Sequence, residues 1–153
     1  MATKVFIAHA ESEQDKPLAG ELKNYLVGQI GCQKTEIFVS SDHSSIKSYQ
    51  EFPHAIKMAV QEARAVVVLL TPDSLWRNWV HFEAGGAYFA PDKLLIVATA
   101  RGISPNSLPN NFLFQSVRDL SVADDIQQLA GDLKQRVDAT PNTANCGVTP
   151  THL

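Results

Sequence analysis

Short apolar, β-branched runs alternate along this chain with longer stretches whose apolar positions recur every three or four residues. That alternation predicts a parallel sheet covered by helices. The first run, Lys4 to Ala10, reads as a strand. Leu18, Leu22, Tyr25 and Leu26 then mark one face of a helix whose end is loosened by Gly28 and Gly31. Thr35 to Ser40 reads as a second strand, and the polar stretch 41–48 that follows suits neither regular state. Helical spacing resumes from Tyr49 to Ala63, where Pro53 is tolerable only in the first turn. Ala65 to Leu70 and Lys93 to Thr99 are continuous apolar runs, as expected of strands buried on both faces.

Between those two strands, Thr71-Pro72-Asp73-Ser74 forms a turn with capping side chains, and a helix is predicted from about Leu75 to Phe89. A Pro/Asn/Ser loop, 102–111, precedes a weaker strand over 116–120 and a last helix over about 122–137. Five strands alternating with helices imply an α/β fold: a flavodoxin-like doubly wound sheet of mainly parallel strands, order 2-1-3-4-5, with helices on both faces. Residues 1–137 form the expected domain. From Asp138 to Leu153 the chain turns to Thr, Pro, Asn and Gly, and reads as a polar tail or linker, expected to be disordered.

Composition narrows the function classes. At 153 residues, 44% hydrophobic and 19% charged, the chain can bury the core of one soluble domain. A net charge of −3 and the lack of any basic run argue against direct nucleic-acid binding. No apolar stretch approaches the ~20 residues of a membrane span. Met1-Ala2-Thr3-Lys4 leads straight into the first strand with no sign of a secretory leader, so a cytoplasmic protein is expected. Cys32 and Cys146 lack metal-ligand spacing and are expected to be reduced thiols; no metal site is expected.

The candidate chemistry lies after the third strand. In doubly wound sheets, ligands bind beyond the carboxyl ends of the strands, where the strand order reverses. This brings together the loop after strand one (His9-Ala10-Glu11), the 41–48 loop and the helix beginning near Leu75. On that helix Glu83 follows Trp79 by four residues and Val80 by three, so it shares their face. A carboxylate on an apolar face is expensive unless it is paired. One reading makes Glu83 a paired anchor that holds the helix. The other makes it a carboxylate in a dry pocket, stabilising an oxocarbenium ion at a glycosyl bond. Gly85 and Gly86 cost roughly 1 kcal/mol each against Ala inside a helix, which points to close packing there without identifying a ligand. His43 and His54 read as solvated residues. His81, two positions from Glu83, lies on another helix face. No phosphate-cradling G-x-G-x-x-G is present, so a Rossmann-style site is not indicated.

The ordered set VFIAHAESEQDK (Val5 to Lys16), EIFVS, AIKMAV, AVVVLLTPDSLWRNWVHFEAGGA and KLLIVA resembles the TIR domain over about residues 4–137. The most specific part is the third strand with Thr-Pro-Asp-Ser-Leu and Trp79-x-x-x-Glu83. The resemblance to NAD-cleaving TIR domains implies that Glu83 is the catalytic carboxylate and Trp79 the pocket aromatic. It implies cleavage of the nicotinamide–ribose bond of NAD to ADP-ribose or a cyclic isomer, in immune or stress signalling. It also implies self-association with other TIR domains and linkage to a sensor or effector domain. NAD would be the substrate, with no separate cofactor. The loop around His9 and Ala10 would offer backbone N–H groups to the pyrophosphate, and Asp42, Ser44 and Ser45 would cover the ribose side.

The chain departs from the family pattern at three places. Ala8 and Ala10 flank His9 where a small hydroxyl residue is frequent. Ser41-Asp42-His43-Ser44-Ser45-Ile46 replaces an Arg-Asp…Pro-Gly signature, and Tyr49-Gln-Glu-Phe52 replaces a Gly-x-x-Trp helix entry. Two rivals stand beside the enzyme: a non-catalytic TIR adaptor module, and a nucleoside deoxyribosyltransferase, which works on a similar sheet with a glutamate. A receiver domain fits less well, because Ala8-His9-Ala10 supplies no acidic cluster for Mg²⁺.

Overall fold

The computed structural model describes residues 3–9, 13–40, 52–73, 75, 92–103, 108 and 116–138. Five strands form one sheet: β1 (Val5–Ala8), β2 (Ile37–Val39), β3 (Ala65–Leu70), β4 (Leu94–Thr99) and β5 (Ser116–Asp119). Their order is β2-β1-β3-β4-β5 and every pairing is parallel. Three α-helices are described: α1 (Asp15–Ile30), α2 (Phe52–Glu62) and α3 (Ala123–Asp138). The flavodoxin-like reading therefore holds, strand order included.

The pleat assigns alternate residues to opposite faces. On one face Val5, Ile7, Val67, Leu69, Ile96 and Ala98 meet Ala19, Leu22, Leu26 and Ile30 of α1, together with Leu129, Leu133 and Val137 of α3. On the other face Phe6, Ala8, Val66, Val68, Leu70 and Val97 pack with Ala59 and Ala63 at the end of α2, and with Leu75 and Leu108. Every residue of β3 is buried, the result its unbroken apolar run predicts. At the sheet edge β5 is partly exposed, in keeping with its weaker apolar pattern and a neighbouring strand on one side only.

Several element ends differ by a residue or two from the sequence expectation, and for β2 and α3 the local reason is visible. β2 starts at Ile37 because residues 34–36 close a 3-10 turn, in which the Gln33 N–H donates to Glu36 Oε1 at 2.9 Å. The described part of α2 begins at Phe52, so the expected start at Tyr49 lies outside the described residues. α3 runs through Asp138, one residue past the expected end: Arg64 Nη1 donates to the Val137 carbonyl at 2.7 Å, and Lys134 pairs with Asp138 at 3.3 Å. α1 ends at Gly31, whose φ of 71° is the left-handed conformation that glycine adopts without strain. The predicted helix 75–89, apart from Leu75, the 41–48 loop and the tail beyond Asp138 lie outside the described residues.

The resolved titration shifts away from the carboxyl ends of the central strands have local causes. Near the amino ends of β1 and β2, a hydrogen bond from Lys4 holds the Glu36 carboxyl below its usual range, helped by the Gln33 N–H, and the same contact raises Lys4. Their 2.7 Å ion pair ties the start of β1 to the start of β2. Burial pushes the free Cys32 thiol up. Burial lowers Lys93, whose ammonium donates to the Gln61 and Ala63 carbonyls at the end of α2.

Candidate functional site

The strand order reverses between β1 and β3, so their carboxyl ends open the crevice where doubly wound sheets hold ligands. His9 leaves β1 at this edge, Ser40 leaves β2, Thr71 leaves β3 and Ala100 leaves β4. His9 is 1% exposed and Ser40 2%. The Ser40 hydroxyl accepts from the His9 N–H at 3.1 Å and lies 3.2 Å from the His9 carbonyl, to which it donates. The Ser40 N–H also donates to the Ile7 carbonyl at 3.0 Å. Ser40 thus clamps the ends of β1 and β2 together. The His9 N–H, expected among the pyrophosphate donors, is engaged by this clamp.

A second cluster joins α1 to the loops after β3 and β4. Asp15, in the first turn of α1, is fully buried, as is Thr71. Thr71 Oγ1 lies 2.9 and 2.8 Å from the two Asp15 carboxylate oxygens and donates to the carboxylate. The same hydroxyl oxygen accepts from the Asp73 N–H at 3.2 Å, while the Thr71 carbonyl accepts from the Leu75 N–H at 2.9 Å. One side chain therefore organises the 71–75 turn from within and fastens it to α1. Arg101 reaches the cluster from the loop after β4: its Nη1 lies 3.7 Å from Asp15 Oδ1 and 2.9 Å from Gln14 Oε1, and its Nη2 donates to the Gln14 carbonyl.

The electrostatics are coherent. A buried carboxylate needs charge and hydrogen-bond partners, and Asp15 has the Arg101 guanidinium, the Thr71 hydroxyl and the positive end of the α1 dipole. Arg101 itself has a φ of 58° and precedes Gly102 at 85°, two successive residues in the left-handed region. A non-glycine residue there is unfavourable by roughly 1 kcal/mol, which the polar contacts offset. The Thr99 hydroxyl at the end of β4 is buried and has no hydrogen-bond partner among the described residues. Asp119, at the end of β5, is held below its usual range by the side chain and backbone N–H of Ser121.

Of the site residues read from sequence, His9 is placed at the crevice. Ala10, Asp42, Ser44, Ser45, Trp79 and Glu83 lie outside the described residues. Sequence reasoning missed Ser40, Asp15 and Arg101, and took Thr71 only as part of a capping turn. Asp15 carried a signal: it falls in register with Ala19, Leu22 and Leu26 on the buried face of α1. Among the described residues no group of His, Cys, Asp and Glu could hold a metal ion, and no helix is long and apolar enough to cross a membrane. The described arrangement is a polar frame at the points where the chain leaves β1, β2, β3 and β4.

A family model described as a TIR domain matches residues 5–134. Comparison with curated proteins gives no match. Among solved structures, the fold is similar to that of a metazoan TIR-STING receptor from C. gigas, determined in complex with 2',3'-cGAMP. The TM-score is 0.57 at 14% identity, over 88% of this chain and 39% of the receptor chain. At that identity the likeness concerns the fold.

Proposed function

The chain belongs to the TIR domain family, and on that premise we propose that it is an NAD glycohydrolase with Glu83 as its catalytic carboxylate. The observation that carries the reading is the Trp79-x-x-x-Glu83 spacing, which begins four residues after the Thr71–Leu75 turn on the carboxyl side of β3. In this reading Glu83 hydrogen-bonds the ribose hydroxyls and stabilises the oxocarbenium-like state as the bond to nicotinamide breaks. Trp79 walls the pocket. Ala10, beside His9, offers its N–H to the pyrophosphate, and Asp42, Ser44 and Ser45 face the ribose. Nicotinamide leaves; water takes its place to give ADP-ribose, or an adenine nitrogen does so to give a cyclic isomer. NAD is the substrate, and neither metal nor further cofactor takes part.

The same proposal includes activation by self-association, and a sensor or effector domain joined to this one in a signalling protein of the cytoplasm. A TIR unit within a receptor that binds 2',3'-cGAMP, as in the C. gigas protein, is consistent with such a joining. The test is chromatographic: the protein is incubated with NAD and, separately, with a deoxynucleoside and a free base. Release of nicotinamide is the expected result. Base exchange on the deoxynucleoside would favour the transferase, and intact substrates from clustered protein would favour the adaptor module.

A further inference from the structure

Thr71 and Asp15 do more than the 71–75 turn needs for its own stability. A turn at a helix start requires a hydroxyl to accept one backbone N–H, and Thr71 does this with Asp73. Its proton goes elsewhere, to a fully buried carboxylate 56 positions away. That carboxylate is also approached by Arg101 from the next loop. Three separate loops at the sheet's carboxyl edge are thereby referred to one point. The segment carrying Trp79 and Glu83 leaves from one of them, with Leu75 bonded to Thr71 and buried against the opposite core.

We propose that Thr71 is a positioning residue for NAD cleavage, setting through its bond to Asp15 the point from which the Trp79–Glu83 segment departs. The inference rests on the glycohydrolase reading and adds to it a residue that does not touch substrate. Displacing a catalytic group by about 1 Å can cost on the order of a hundredfold in rate. Losing this anchor should therefore act on kcat more than on KM. Arg101 has a supporting part: it brings a guanidinium within 3.7 Å of the Asp15 carboxylate that accepts the Thr71 proton.

The experiment compares Thr71→Val, which keeps the shape and removes the hydroxyl, with Thr71→Ser, which restores it. Thr71→Ala, which adds no bulk, replaces the valine variant should that fail to fold. Turnover of NAD is measured per folded molecule on clustered protein well below the melting temperature. Thr71→Val should lower kcat roughly tenfold or more with KM within about twofold, and Thr71→Ser should recover most of the loss. In a Glu83→Gln background, Thr71→Val should cause little further loss, because both act on one group. A valine variant that is less stable but turns over at the wild-type rate would overturn the role while leaving the glycohydrolase reading intact. So would losses that multiply independently in the double variant. A wild-type protein that leaves NAD untouched when clustered removes both.

Discussion

The hydroxyl of Ser40 lies 3.1 Å from the amide nitrogen of His9 and 3.2 Å from its carbonyl oxygen, so one side chain serves both backbone groups of a residue on the neighbouring strand. The backbone register of β1 and β2 runs to Ile7 and Val39, the Ser40 N–H donates to the Ile7 carbonyl, and at His9 the bonds come from the side chain. The clamp extends the contact between the two strands to His9.

Ser40→Ala should therefore destabilise the domain by about 1–3 kcal/mol, the cost of leaving a buried donor and acceptor unpaired. Urea unfolding followed by circular dichroism measures the loss. An unchanged midpoint would mean that water replaces the hydroxyl at no cost.

Glu83→Gln separates the catalytic role from the anchoring one. Glutamine keeps the reach of the side chain and removes the charge that would stabilise a cationic transition state. NAD cleavage should fall by roughly 10²-fold or more, with stability held or raised. Melting temperature and turnover per folded molecule are measured on the same preparation. Full turnover in a destabilised protein would instead identify Glu83 as an ion-pair partner.

Activity should rise steeply with clustering. The 41–48 loop is atypical for the family and polar, and in our reading a neighbouring subunit completes the pocket. NAD turnover is followed against protein concentration and after tethering. A high specific activity that is flat across that range would place the complete site within one chain.

The Lys4–Glu36 pair predicts an acid limb of stability. Glu36 titrates below its unfolded value, so its contribution is fully present above the ordinary glutamate range, roughly pH 4. It is lost as pH falls through the depressed folded value. Lys4 is raised, so its share persists until strongly alkaline pH, beyond the ordinary lysine range. Glu36→Gln should flatten the decline in urea midpoint between neutral pH and about pH 3 relative to wild type.

Removing residues 139–153 should leave the melting temperature unchanged, since that composition has almost no large apolar side chains to bury. Arg64→Ala should lower it by the equivalent of about 1–2 kcal/mol, because the guanidinium bonds the last turn of α3 across 73 positions. Differential scanning fluorimetry on the two variants checks both statements.

The alternation of apolar runs and helical periodicity determined the order of the described elements and the doubly buried strands, and the flavodoxin-like fold it implied carried the strand order that the sheet has. Those signals are local: burying β3 on both faces requires an unbroken apolar run wherever it occurs, and Ala65 to Leu70 supplies one. The Trp79 and Glu83 spacing is a local signal of the same kind, read from the sequence alone, and both residues lie outside the described ones. The polar frame at the carboxyl edge was decided by the tertiary structure alone. Asp15 reads in sequence as an acid favoured in any first helical turn, Thr71 as a cap for its own turn, and Ser40 as the end of a strand. Their partners lie 56, 56 and 31 positions away, and Arg101 bonds Gln14 across 87. Only the parallel pairing of all five strands gathers their carboxyl ends at one edge, and no window along the chain contains that convergence.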